Sequence, residues 1–196
     1  MNSYSNNNAR KIVTLALFTA IIILQSWVPF LGFINIGPIA MTIIPITVIL
    51  GTLWLDISDG AILGLVFGLN SLVRAWLIGN PVERLIFTSP FVSVLPRILM
   101  PIIIGLCLKY LFTNLTPTTK AALAGFLGSL LNTVLVLSAI GLFKASEYVS
   151  AIEGANTSQI WSILLGIVTA NGIPEATIAT IITPIIYVGV NRARKV

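Results

Sequence analysis

Six side chains carry the chemistry open to this sequence: Arg74, Arg97, Glu175, Asn70, Asn132 and Asn171, all within or beside long apolar runs. Ionisable groups in such runs are expensive and belong against a cavity or a partner. Two arginines less one glutamate leave a charge of plus one, which suits a small monoanion. Arginine meets a carboxylate as a bidentate fork, and asparagine offers donors and acceptors to hydroxyls or an amide. Each residue also has a plain structural role. Arg97 and Glu175 can neutralise each other as an ion pair between helices, Arg74 can snorkel to headgroups, and Asn132 can make an interhelical hydrogen bond.

The elements that position these residues follow from composition. Of 196 residues, 57% are hydrophobic and 9% charged, against about a quarter charged in a soluble domain. The chain is therefore read as an all-α polytopic membrane protein. With no histidine and a single cysteine it can build neither a His-based triad, a His-ligated metal site nor a disulfide. No Walker A loop is present. No catalytic residue, metal or cofactor is expected, and Cys107 reads as a small packing residue.

Six spans are expected. A polar, Asn-rich cytosolic tail (residues 1–11, with Met1 to Ala9 unfolded) leads into an apolar run from Ile12 to about Phe30, too long for a signal-peptide core. An irregular connection containing Gly32, Gly37 and Pro38 precedes the second span, about Ile39 to Leu55. Ser58 or Asp59 caps the third, which runs from Gly60 to about Leu77. Residues 78–91 form a loop long enough to fold over something. The fourth span runs from about Val92 to Phe112. Thr116-Pro117 opens the fifth, to Phe143. The segment Gln159 to Tyr187 is too long for one span and is split at Asn171-Gly172-Ile173-Pro174: a short outer or re-entrant helix over Asn156 to Ala170, then a sixth span from Pro174 to Val190 that bends at Pro184. The alternative is one long kinked helix. A basic cytosolic tail covers residues 192–196, leaving 12–191 as the transmembrane domain.

With six spans the ends share a side. Arg10, Lys11, Lys109, Lys120, Arg192, Arg194 and Lys195 then face one side, against Arg74, Arg84, Arg97 and Lys144 on the other, so both termini are placed in the cytosol. That orientation sets Arg74, Arg97 and Glu175 at one depth in the outer leaflet. Trp27, Trp76 and Trp161 fit an outer aromatic belt. Gly60, Gly64 and Gly68 form a strip of small residues for helix packing, as do Ala121, Gly125 and Ser129, and Ala16 and Ala20 make a weaker one on the first span.

Four stretches together give this chain a family likeness: Ala16-Leu-Phe-Thr-Ala20, the run from Asp59 to Ala75 that holds the glycine strip and Arg74, Phe91-Val-Ser-Val-Leu-Pro-Arg97, and Thr169-Ala-Asn-Gly-Ile-Pro-Glu175. Over nearly its whole length the chain resembles the substrate-binding S component of energy-coupling factor (ECF) vitamin transporters, and most of all the pantothenate-specific type. The resemblance implies a six-helix fold and a vitamin site near the outer face, closed by the first and third loops and the segment before the sixth helix. It also implies partners: a transmembrane coupling protein, contacted through Ala16 and Ala20, and two cytosolic ATPases. The expected location is a bacterial plasma membrane. Pantothenate, a monoanion with hydroxyls and an amide, agrees with the charge and asparagine set. Folate or riboflavin is the alternative cargo. A self-contained channel or a structural membrane protein is the alternative class; an intramembrane enzyme is disfavoured, because a nucleophile would lack its usual base.

Overall fold

The computed structural model describes residues 2–28, 30–34, 41–152 and 156–193. Among the described residues, five helical stretches are long and apolar enough to cross a membrane: Asn8–Trp27, Ile57–Ile78, Pro90–Tyr110, Pro117–Phe143 and Ile160–Arg192. The first belongs to helix α1 (Asn2–Trp27), so the Asn-rich start is helical rather than unfolded. Extending an existing helix costs far less than nucleating one, and no proline or glycine interrupts residues 2–11.

The second expected span is the shortest. Residues 35–40, with Gly37, Pro38 and the expected start at Ile39, lie outside the described residues, as do Arg194 and Lys195 of the basic tail. On either side of residues 35–40, β1 (Phe33–Ile34) and β2 (Met41–Thr42) pair antiparallel, and only then does α2 (Ile44–Trp54) begin. Its 11 residues reach about 16 Å, roughly half a bilayer's hydrocarbon core. Every residue of α2 from Ile44 to Thr52 is buried, so it is sheathed in protein rather than lipid.

Helix α3 (Ile57–Ile78) starts one turn earlier than expected, with Asp56 as N-cap, its N–H donating to the Asp59 carboxylate at 3.2 Å. Lys11 reaches both acids, 2.8 Å from Asp59 and 2.9 Å from Asp56, and ties α1 to the α2–α3 turn. The expected loop at 78–91 contains two short helices, α4 (Pro81–Phe87) and α5 (Pro90–Ser93). Asn80-Pro81-Val82-Glu83 supplies a cap, a proline in the first turn and a reciprocal capping glutamate, with Glu83 N–H donating to Asn80 Oδ1 at 2.8 Å. Helix α6 (Leu95–Tyr110) follows, then α7 (Pro117–Phe143), which has the expected bounds, and α8 (Ala145–Ser150).

The expected break before Pro174 is absent. Helix α9 (Ile160–Ile167) passes through a π-helical turn, Val168–Gly172, directly into α10 (Ile173–Ala193). A π turn absorbs the local conflict that Gly172 and Pro174 create without ending the helix. The long-helix alternative is therefore the observed one. The Ile173 N–H is already spent on Val168 O, so the free backbone donors of a helix start are reduced at this point.

Glycines set the packing distances. A Cβ on Gly64 would strike the Arg97 carbonyl, and one on Gly68 would lie 2.7 Å from Val94 Cα, so α3 lies directly on the start of α6. A Cβ on Gly125 would collide with α10 at the Ala179 carbonyl and Thr183. Two apolar clusters result: one around Ile22, Ile49, Phe67 and Met100, the other joining α4, α5, α7, α8 and α9 through Ile86, Val92, Ile140 and Tyr148. The site lies along α3, α6, α7 and α10, beside the second cluster. Gly64→Val is expected to cost about 1–3 kcal/mol by overpacking, seen as a lower melting temperature in detergent. Gly166→Ala, at a position with open space around it, should leave melting unchanged or slightly raised.

Candidate substrate-binding site

One partly enclosed cavity of about 70 Å³ collects five of the six residues singled out from the sequence: Arg74, Arg97, Asn132, Asn171 and Glu175 all line it. Asn70 does not. It faces α1, where its Oδ1 accepts from Trp27 Nε1 at 2.8 Å while its amide donates to Val66 O. α3 turns Phe67, Ser71, Arg74 and Ala75 to the cavity, and Asn70 sits at the edge of that face, on the side toward α1.

Arg97 is the deepest charge, only 5% exposed, in the first turns of α6. The close approach of Gly64 and Gly68 fixes its backbone, and two rings hold its guanidinium carbon, Phe67 at 5.5 Å and Phe87 at 5.3 Å from their centroids. Phe87 ends α4, and Ser93 pins that end by donating to the Phe87 and Ser89 carbonyls. Arg97 donates one hydrogen bond through Nη1, to Val92 O, and its Nε has no partner. Across the cavity the Asn132 side chain is 3% exposed with its Oδ1 also unpartnered. Buried polar atoms are almost always satisfied, so two open atoms on one cavity call for an explanation.

Glu175 is not the explanation. Its carboxylate accepts from Thr42 N–H at 2.7 Å and from Thr133 Oγ1 at 3.0 Å, and no ion pair within 4.0 Å joins it to Arg97 among the described residues. Among the described residues the two charges therefore make no contact ion pair. Instead, Glu175 anchors β2 to α7 and α10. Arg74 is likewise engaged: its guanidinium carbon stacks 4.2 Å from the Phe33 ring centroid, and Nη1 sits 3.6 Å from Glu83 Oε1.

Sequence reasoning passed over Glu83, Thr42, Thr133 and the aromatic walls Phe33, Phe67 and Phe87, all of which line the cavity. Glu83 carries the largest consequence. With it the wall holds two arginines and two glutamates, so its charge is zero rather than plus one. Its proximity to Arg74 comes from α4 folding back over α3, which residue spacing alone does not express. Thr133 had a weak signal, standing beside Asn132 in mid-span. Ala16 and Ala20, far from the cavity, are exposed on α1.

The arrangement offers binding groups: a dehydrated guanidinium, an open amide oxygen and a fixed carboxylate. Thr133→Val, similar in size and lacking the hydroxyl, should cost about 1–3 kcal/mol by stripping a donor from a buried carboxylate. Thermal unfolding checks this, and Thr133→Ser should restore most of the loss.

Comparison with known proteins agrees. Residues 10–187 match the family of ECF transporter substrate-specific components. The chain is 35% identical over 193 residues to the pantothenate transporter PanT of Leuconostoc mesenteroides, covering 94% of this chain and 91% of that one. It is 32% identical over 203 residues to the pantothenic acid transporter PanT of Lactococcus lactis subsp. cremoris, covering 96% and 97%. The chain is therefore a multi-pass membrane transport subunit, not an enzyme, and belongs to the substrate-specific components of ECF transporters.

Proposed function

We propose that this chain is the pantothenate-binding subunit of an ATP-driven ECF importer. The observation that carries the proposal is the pair of open buried atoms, Arg97 Nε and Asn132 Oδ1, on one cavity. A ligand that satisfies both needs an anionic group and a hydrogen-bond donor. Pantothenate has a carboxylate, an amide N–H and hydroxyls, and Glu175 and Asn171 offer further polar partners. The names of the two relatives point the same way.

The short, protein-sheathed α2 joins the five long helices as a sixth crossing, with both termini in the cytosol of a bacterial cell and the cavity near the outer face of its plasma membrane. The excess of lysine and arginine on the terminal side supports this. So does the placement of Arg97 at the start of α6 and Arg74 near the end of α3, which puts them at the same end of antiparallel neighbours. Cargo loaded from outside then needs a partner to drive release. A transmembrane coupling protein docking on the exposed Ala16 and Ala20 face, powered by two cytosolic ATPases, meets that need.

Isothermal titration of the purified protein with pantothenate tests the cargo. Arg97→Ala should weaken binding at least about 30-fold, as expected when one partner of a buried charge-assisted contact is removed; affinity equal to wild type would show that the carboxylate lies elsewhere. Cells lacking the shared ATPases should accumulate no labelled pantothenate through this protein, and accumulation there would refute coupled import. Asn8→Cys on a Cys107→Ser background should react with a membrane-impermeant maleimide only in inside-out vesicles. Labelling of intact cells would reverse the topology.

A further inference from the structure

The cavity wall is electrically neutral, yet the cargo is an anion. Arg74, Arg97, Glu83 and Glu175 contribute the four charges, and a monoanion added to them leaves an uncompensated negative charge unless one carboxylate moves away. The two glutamates are held very differently. Glu175 is 8% exposed, belongs to the 21-residue α10 and accepts hydrogen bonds from Thr42 and Thr133. Glu83, its side chain 13% exposed, rides on the seven-residue α4, where its Oε2 accepts from Asn80 N–H at 3.1 Å in the helix cap. Its Oε1 reaches Arg74 at 3.6 Å, longer than the roughly 2.7–2.9 Å of a tight charge-assisted bond.

Arg74, by contrast, is fixed independently of Glu83. It projects from the 22-residue α3 and stacks on Phe33, so its charge stays over the cavity whether or not Glu83 is present. We infer that Glu83 is an internal competitor for the substrate carboxylate: it neutralises Arg74 in the empty site, and an arriving monoanion displaces it. Displacement raises the charge of the remaining wall from zero to plus one, which matches a monoanion. It also removes the one charged contact between α4 and α3 among the described residues, so anion recognition and loosening of the N-terminal end of α4 become one event. Neutral analogues of the same shape cannot displace Glu83 by charge, which makes it a specificity-determining residue as well as a latch.

This inference rests on the pantothenate reading, and the experiment separates the two. Glu83→Gln removes the charge but keeps a side-chain oxygen able to cap α4. In stopped-flow binding followed by tryptophan fluorescence, Glu83→Gln should raise the association rate of pantothenate at least about fivefold, as expected for removal of a like charge from a binding site. The rate for pantothenol, in which an alcohol replaces the carboxylate, should change less than about twofold. Asn80→Ala, which loosens α4 without removing the charge, should affect both ligands equally. Equal acceleration of both ligands by Glu83→Gln, or of neither, overturns the competition. A ligand-free measurement guards against a mistaken cargo: backbone amides of residues 82–87 should exchange hydrogen about tenfold faster in Glu83→Gln than in wild type. Unchanged exchange overturns the latch even if wild type binds no pantothenate, whereas absence of pantothenate binding with faster exchange overturns only the cargo.

Discussion

A guanidinium taken out of water and denied a carboxylate is the constraint on which the site depends. Desolvating a charge costs several kcal/mol unless it is paired and hydrogen-bonded. Arg97 receives one carbonyl and two aromatic faces, which is partial compensation. Much of the nearby architecture serves to hold that arginine in place. The glycine strip of α3 lies against its backbone, Phe67 reaches it from the same helix, and Ser93 pins the end of α4 so that Phe87 closes the other side. An anion would complete its coordination, which is why the proposed carboxylate site is placed there.

The second buried charge is solved in the opposite way. Glu175 is fully engaged by a backbone N–H from β2 and a hydroxyl from α7, and it acts as a post linking the chain before α2 to the helices behind the cavity. With Glu175 satisfied, the open groups left on the cavity, among the described residues, are the Arg97 Nε donor and the Asn132 Oδ1 acceptor. The π turn at Val168–Gly172 serves the same cavity. It carries Asn171 into the wall while letting the helix run on, a common use of such turns at functional positions.

Substrate choice therefore reflects how charge is distributed as well as how much is present. Counting only residues inside apolar runs gives plus one, while the folded wall gives zero because Glu83 returns from a surface helix. On the proposed displacement, the two values correspond to Glu83 moved away or in place. The opposite end of the bundle carries its own charged cluster, Lys11 with Asp56 and Asp59, which ties α1 to the α2–α3 turn, while Ala16 and Ala20 stay exposed on α1.

What the sequence by itself determined were the quantities set by local pattern. Apolar run length located the long helices, and the Thr116-Pro117 cap gave α7 its bounds. The scarcity of charge left so few intramembrane polar residues that five of the six named ones line one cavity. Local pattern misread the segments where neighbours overrule propensity: the β1–β2 bridge and late start of α2, the helical N-terminus, and the continuous α9–α10, where a π turn replaced an expected break. The tertiary structure alone decided which charges meet. Arg97 and Glu175, complementary on paper, are each turned to other partners, while Asn70 was claimed by Trp27 and Arg74 by Glu83. Depth in a membrane is written in hydropathy, one residue at a time. Pairing depends on the rotation and folding back of whole helices, and that information lies in the packing between elements.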